Sequence, residues 1–132
     1  MERPVKLLLD THALLWWWLD DPQLSPAARE AIADPANEVW VSAASAWEIA
    51  IKQRLGRLDG VPEASSRFME LVAADGFRLM PMQAAHALRA GGHPAEHRDP
   101  FDRMLAAQAE LEQATLVSRD GALAGFGVEM LW

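Results

Sequence analysis

The chain alternates short apolar runs with longer stretches of helical periodicity. Five short runs are predicted to be strands, over residues 5–9, 38–42, 77–80, 115–118 and 128–131. Helices are predicted between them, over residues 11–19, 26–33, 43–55, 63–74, 82–90 and 101–113. Strands separated by helices favour an α/β fold, in which helices cover both faces of a mainly parallel sheet of four to five strands in a three-layer α/β/α arrangement.

Capping residues set the ends of several predicted helices. Ser25 followed by Pro26 is typical of a helix start, and Asp99 followed by Pro100 repeats that pattern. Gly56 is predicted to end the third helix. The apolar face expected on that helix consists of Ala44, Trp47, Ile51 and Leu55.

Length and composition indicate one globular domain over residues 1–132. Of the 132 residues, 51% are hydrophobic and 23% charged, which suits one core rather than two. The absence of cysteine excludes a disulfide framework, a zinc ribbon and a thiol nucleophile. The N-terminus lacks the apolar run of a signal peptide, and the longest such run, residues 13–19, is well short of the roughly 20 residues that span a bilayer. We therefore expect a cytoplasmic protein with no membrane segment.

The charge balance disfavours contact with polyanions. Asp and Glu number 19 against 12 Lys and Arg, which gives a net charge of −7, and such a field repels nucleic acids. We expect no DNA binding by this chain alone. An enzyme that acts on phosphates through bound cations nevertheless has to concentrate carboxylates, and each divalent ion neutralises two of them.

Four carboxylates are predicted at one edge of the sheet. In open α/β sheets, ligands bind outside the carboxyl ends of the strands. The acids expected there are Asp10, Glu48, Asp102 and Asp120. Oxygen ligands without cysteine or a convincing histidine cluster suit Mg²⁺ or Mn²⁺ rather than zinc. Such an ion lowers the pKa of water and stabilises charge on a phosphodiester, so the pattern indicates a phosphodiester hydrolase.

Each acid also has a purely structural interpretation. Asp10 and Asp120 are typical N-caps of the helices that follow them, and Asp102 is typical of an acid in a first helical turn. Glu48 lies four residues before Lys52 and can pair with it on a solvated helix face. The shared placement of the four acids is what favours a site.

The four acids lie in the segments LLLDTHALLWW, SAASAWEIAIK, HRDPFDRMLAAQA and TLVSRDGAL. In order and spacing these segments resemble the four motifs of PIN-domain proteins, particularly the VapC-type toxin ribonucleases of type II toxin–antitoxin systems, over nearly the whole chain. The resemblance implies a PIN-like fold with Mg²⁺ or Mn²⁺ as cofactor. It also implies a catalytic, metal-binding quartet with Asp99 as a neighbour of smaller role: Asp10, Glu48, Asp102 and Asp120.

The same resemblance implies an activity and partners. The substrate is expected to be RNA, cut by an endoribonuclease that uses a metal-activated water and leaves 5′-phosphate and 3′-hydroxyl ends. A cognate antitoxin and homodimerisation are expected on the same ground. An RNA-processing nuclease without a toxin role and a catalytically silent PIN-like binding module stay open as alternatives. A phosphatase with Asp10 as nucleophile is disfavoured because His12 stands where those enzymes generally have a second Asp.

Hydroxyl and basic side chains near the acids are candidate supporting residues. Thr11 and Ser118 are expected to hydrogen-bond the carboxylates or a metal-bound water. Basic side chains near the motifs are expected to hold RNA phosphates or a partner, and ordinary solvated charge is an equally good interpretation of each. These basic residues are Lys52, Arg54, Arg57, Arg98, Arg103 and Arg119.

A tryptophan run and a histidine pair carry weaker signals. Trp16, Trp17 and Trp18 point about 100° apart on a helix, so at least one is expected to be partly exposed as an anchor for a protein partner. His93 and His97 are interpreted as structural or near the substrate, because a His pair without a third ligand is a weak metal signal.

Overall fold

A computed structural model of the chain describes residues 4–58 and 60–132. The strands are β1 (Lys6–Leu9), β2 (Glu38–Ser42), β3 (Arg78–Met80), β4 (Thr115–Val117) and β5 (Met130–Leu131). The α-helices are α1 (Thr11–Leu19), α2 (Pro26–Ala33), α3 (Ala43–Arg54), α4 (Phe68–Ala74), α5 (Ala84–Gly92) and α6 (Pro100–Leu111). A 3₁₀ helix spans Gly121–Phe126. Within the described residues, no helix is long and apolar enough to span a membrane.

The strands form one parallel sheet in the order β3-β2-β1-β4-β5. β1 lies at its centre, with Leu8 opposite Trp40 of β2 and Leu116 of β4. β5 completes one edge, where Met130 pairs with Leu116. The predicted α/β fold with a parallel sheet is confirmed, and the parallel arrangement brings the carboxyl ends of all strands to the same edge.

Two hydrophobic cores lie on opposite faces of the sheet. Side chains alternate along β1, so that Leu7 and Leu9 join the core that includes Leu14 of α1, while Leu8 joins the core that includes Leu105 of α6. All five leucines are 0–1% exposed. Because β1 is covered on both faces, its sequence is a run of apolar residues rather than an alternation.

The helix predicted from residue 63 begins only at Phe68. The chain before it forms turns that are held by the side chain of Gln53 in α3. Gln53 Nε2 donates to the Val61 carbonyl at 3.0 Å, and Gln53 Oε1 accepts from the Ser65 amide at 2.7 Å. A contact between segments therefore overrides the local helical periodicity.

The apolar face expected on α3 is wrong at two positions. Trp47 is 55% exposed and Leu55 is 48% exposed, whereas Ile49 is fully buried. The helix is turned so that Ser45 also faces inwards, where its Oγ lies 3.0 Å from Thr11 Oγ1 of α1. A polar contact between two helices thus shifts the buried face away from the one that the apolar pattern suggests.

The three successive tryptophans of α1 are each partly buried and meet different aromatic neighbours. The pairs, with their ring-centroid separations, are Trp16–Trp132 at 5.7 Å, Trp17–Phe77 at 5.9 Å and Trp18–Phe68 at 5.9 Å. The partial exposure expected from their spacing is present. Contact of this run with a protein partner stays a prediction.

Candidate active site

Asp10 lies at the middle of the carboxyl edge of the sheet, between β1 and α1. Its amide donates to the Val117 carbonyl of β4 at 3.0 Å, and its carboxylate accepts from the Ala13 amide at 2.7 Å, which caps α1. The residue is only 6% exposed. Burial raises the pKa of the Asp10 carboxyl, while hydrogen bonds from Ser118 and Ala13 lower it. A buried carboxylate in this position gains from a nearby cation.

Ser118 and Asp120 follow β4 and lie beside Asp10. The buried Ser118 hydroxyl hydrogen-bonds the Asp10 carboxylate, and its oxygen accepts from the Asp120 amide at 3.1 Å. Asp120 Oδ1 accepts from the Ala122 amide at 3.0 Å and so caps the 3₁₀ helix. Ser118 therefore joins the two acids in one hydrogen-bonded unit.

Asp102 reaches the same edge from the first turn of α6. Asp99 caps this helix, because its Oδ1 accepts from the amides of Phe101 at 2.8 Å and Asp102 at 3.3 Å. Asp102 Oδ2 lies 2.8 Å from His97 Nε2. Burial raises the pKa of the Asp102 carboxyl, the His97 hydrogen bond lowers it, and the neighbouring Asp99 charge raises it. The start of α6 thus presents a partly buried carboxylate that is held by an imidazole.

Ligand atoms of His97, Asp102 and Asp120 lie within 4.8 Å of one another. His97 and Asp102 lie close to the start of α6, whereas Asp120 follows β4, so the fold brings two distant segments together. Two carboxylates and one imidazole form a donor set that suits a divalent cation. By the chemistry of its donors, this corner of the sheet fits the metal that the sequence predicts.

Glu48 approaches the other acids from α3. Its side chain is 15% exposed, and its Oε2 lies 3.3 Å from Lys52 Nζ one helical turn away. The Glu48 charge raises the pKa of Asp102, and the Asp102 charge raises that of Asp10. The pairing with Lys52 and the approach to the acid cluster therefore occur together. The four acids that the structure brings to this edge are Asp10, Glu48, Asp102 and Asp120.

An open cleft of about 310 Å³ lies against the acids. Its lining residues are Asp10, His12, Trp16, Arg119 and Asp120. The guanidinium of Arg119 lies over the Trp16 ring, 4.6 Å from its centroid. A neighbouring groove shares His12 and Trp16 with the cleft and adds two basic residues, Lys52 and Arg57.

The other predicted supporting residues have different surroundings. The Thr11 hydroxyl is directed to Ser45 in α3, as described above. Arg54 and Arg98 are exposed. Arg103 is bound within the fold, since its guanidinium donates at 2.6–2.8 Å to four backbone carbonyls, those of Ala90, His93, Ala95 and His97. Its charge therefore serves the loop between α5 and α6.

Sequence reasoning missed His97 as a member of the cluster. It lies five residues before Asp102, in a loop without the periodicity that would show where a side chain points. The available signal was its place in the same short motif as Asp99 and Asp102, next to an acid already singled out.

A family model described as PIN domain matches residues 7–128, a range that contains all four acids. The chain belongs to the PIN-domain family. The predicted family is thereby confirmed, and this PIN domain has its candidate site at the carboxyl edge of the sheet.

Individual proteins of similar sequence or structure also support the PIN-domain assignment. It is 31% identical over 118 residues to Ribonuclease VapC22 of Mycobacterium tuberculosis, covering 89% of this chain and 88% of that protein. VapBC2 from Rickettsia felis, crystallised with a promoter DNA fragment, matches at a TM-score of 0.68 and 15% identity over 96% of this chain and 98% of that one. VapBC-1 from nontypeable Haemophilus influenzae matches at a TM-score of 0.65 and 16% identity over 96% of this chain and 97% of that one. This PIN domain is therefore a homologue of a VapC ribonuclease, and the two structures share its fold.

PIN-domain nucleases of this kind are typically metal-dependent hydrolases. The carboxylate and imidazole donors described above are consistent with that chemistry.

Proposed function

We propose that this PIN domain is a Mg²⁺- or Mn²⁺-dependent endoribonuclease, the toxin of a toxin–antitoxin pair, which hydrolyses RNA phosphodiester bonds. The observation that carries the proposal is the meeting of His97, Asp102 and Asp120 within 4.8 Å, at the edge of the sheet where Asp10 is buried. The 31% sequence identity to a ribonuclease, over 89% of the chain, supports RNA as substrate. The proposal takes residues 1–132 as a single PIN domain.

Hydrogen bonds position the acids that take part in the proposed reaction. A divalent ion bound there lowers the pKa of the attacking water and stabilises charge on the phosphate. Ser118 and the Ala13 amide fix the Asp10 carboxylate by hydrogen bonds, so that little reorganisation accompanies the reaction. Asp99 fixes the first turn of α6 and with it Asp102. The residues that would hold the cation are Asp10, Glu48, Asp102 and Asp120.

The cleft beside the acids provides a path for the RNA backbone. Arg119 lines it directly, and Lys52 and Arg57 line the groove that continues past His12. Their positive charge supports phosphate binding in a chain whose net charge is −7. The exposed Arg54 and Arg98 extend the same basic surface in this proposal, whereas the four carbonyl bonds of Arg103 favour a role in the fold.

The proposed partners are a cognate antitoxin and a second copy of the chain. Exposed apolar side chains near α3 and α5 support a protein contact there, because large apolar side chains grouped on a surface are typical of interfaces. They are Trp47 and Met82, which line the same groove. We place the activity in the cytoplasm, where RNA and a newly made antitoxin are available.

Cleavage of RNA by the purified protein tests the enzyme proposal. We expect cleavage with Mg²⁺ or Mn²⁺, none in EDTA, and a loss of several orders of magnitude in Asp10→Asn. Glu129→Gln removes one charge at an exposed position away from the acids and serves as the matched control. Undiminished cleavage in EDTA or by Asp10→Asn contradicts the proposed mechanism.

Expression in bacteria separates the toxin from its alternatives. A toxin arrests growth, and Asp10→Asn relieves the arrest at equal protein level. An RNA-processing nuclease cleaves RNA in vitro without arresting growth. A silent binding module does neither.

A further inference from the structure

We propose that His97 is a nitrogen ligand of the metal centre and that it gives the site a preference for Mn²⁺ over Mg²⁺. The inference rests on the metal-dependent function proposed above. It adds an imidazole to a site that the sequence predicts to be built of carboxylates, and it names the cation that this donor favours.

The position of the imidazole carries the inference. His97 Nε2 lies 2.8 Å from Asp102 Oδ2, close to the spacing of about 3 Å between adjacent ligand atoms on an octahedral ion with bonds near 2.1 Å. A carboxylate oxygen of Asp120 lies within 4.8 Å of both residues' ligand atoms. His97 and its two carboxylate neighbours thus lie close enough together for one ion to be placed between them.

The loop that carries His97 is fixed by Arg103. Nη1 of Arg103 donates to the His97 carbonyl at 2.7 Å and to the Ala95 carbonyl at 2.8 Å. The Arg103 guanidinium also lies over the ring of Phe126, at 5.8 Å from its centroid, and the His97 ring meets Phe126 edge-on at 5.9 Å. Because the backbone and the ring are both held, His97 needs little ordering before it binds an ion.

The other histidines are weaker candidates for the nitrogen donor. Both ring nitrogens of His86 are engaged, because its Nδ1 accepts from the Gln83 amide at 3.1 Å and its Nε2 lies 2.9 Å from Glu112 Oε1. His93 Nδ1 accepts from the Ala95 amide at 3.0 Å, and His93 does not belong to the group of converging ligand atoms among the described residues. His12 lines the cleft beside Asp10, but its ring lies against Trp16 and it does not belong to the group of converging ligand atoms. His12 is therefore the right control for His97.

The preference for Mn²⁺ follows from ligand chemistry. Mg²⁺ keeps oxygen ligands and several waters, whereas imidazole nitrogen favours transition metals. A nitrogen donor beside two carboxylates therefore raises the affinity for Mn²⁺ more than that for Mg²⁺.

Pulsed EPR of Mn²⁺ bound to the full chain tests the ligand directly. We expect a hyperfine coupling from one histidine nitrogen, and we expect it to change from the ¹⁴N to the ¹⁵N pattern when the protein is labelled with ¹⁵N-histidine. The coupling persists in His12→Gln and disappears in His97→Gln, with folding of each variant checked by circular dichroism. The labelling experiment uses the unmutated chain, so absence of a histidine coupling there overturns the ligand role of His97 even if His97→Gln fails to fold.

Metal titration gives the second readout. We expect His97→Gln to weaken Mn²⁺ binding by at least about tenfold and Mg²⁺ binding by less, while His12→Gln keeps the ratio of the two affinities unchanged. Mn²⁺ bound without a histidine nitrogen coupling overturns the ligand role of His97 and leaves the metal-dependent function standing. An equal loss of affinity for both ions overturns the Mn²⁺ preference. Failure of the unmutated chain to bind Mn²⁺ overturns this inference together with the proposed function.

Discussion

Replacing Asp10 with Asn should stabilise the metal-free protein at neutral pH. The Asp10 carboxylate is 6% exposed, and burial raises its pKa, with a further increase from the Asp102 charge. The ionised form is therefore costly when no cation is bound. Asn has nearly the same shape and keeps an oxygen that accepts from the Ala13 amide, so the substitution removes the charge without removing the cap of α1.

A second substitution at the same position shows how much the cap of α1 contributes to the free energy of unfolding. Asp10→Ala also removes the charge but leaves the Ala13 amide without its 2.7 Å partner. Loss of an N-cap costs about 1 kcal/mol. The Asn variant should therefore exceed the Ala variant by about 1 kcal/mol in the free energy of unfolding, or roughly 3–5 °C in Tm for a domain of this size.

The effect of pH has a definite sign. Because the pKa of Asp10 is raised above 3.8 in the folded protein, the folded state keeps this proton at pH values where the unfolded state has lost it. The resulting stabilisation is fully present below pH 3.8 and is lost as the pH rises through the folded-state pKa. The advantage of Asp10→Asn over the unmutated protein should thus grow with pH across this window and disappear below it.

Urea unfolding in EDTA, at neutral pH and at the acid end of the window, measures this difference. Adding Mn²⁺ should reverse the order at neutral pH, because a ligand that binds only the folded state stabilises the unmutated chain by mass action. The reasoning is refuted if Asp10→Asn is no more stable than the unmutated protein in EDTA at neutral pH, or if its advantage is the same at both pH values.

Two further substitutions test contacts that position the site. Arg103→Met should lower the free energy of unfolding by about 3 kcal/mol, because four partly buried carbonyls lose a charged donor. The exposed Arg98→Met should change it by less than about 0.5 kcal/mol, and equal effects of the two variants in urea unfolding contradict this role of Arg103. Gln108→Leu should cost about 2 kcal/mol, because it leaves the buried Ser42 hydroxyl and the Pro81 carbonyl without their partners at 2.5 and 3.2 Å. A Tm unchanged by Gln108→Leu would show that this buried pair contributes nothing.

The parts of the fold that sequence predicts well are those with a strong local signal. β1 is a run of buried leucines, and the acid that follows it is Asp10, whose capping role and place at the strand end are both visible in the pattern. Asp99 with Pro100 likewise marks the start of α6. Such signals involve neighbours in sequence, and the structure keeps them.

The parts that sequence does not predict depend on contacts between distant segments. Gln53 holds the turns before α4, and Ser45 turns α3 towards Thr11. The cluster formed by His97, Asp102 and Asp120 depends on the course of a loop fixed by Arg103, which itself looks like a surface charge in the sequence. No periodicity records these contacts, because their partners are far apart along the chain or lie in an irregular loop.

The central place of β1 determines when the acidic corner can form during translation. The first strand to leave the ribosome has β2 on one side and β4 on the other, and the Asp10 amide bonds to Val117. A nascent chain that ends before β4 therefore has Asp10 but neither Ser118 nor Asp120 beside it. Translation has to pass residue 120 before the acidic corner exists, so an incomplete chain carries Asp10 without the acid that follows β4.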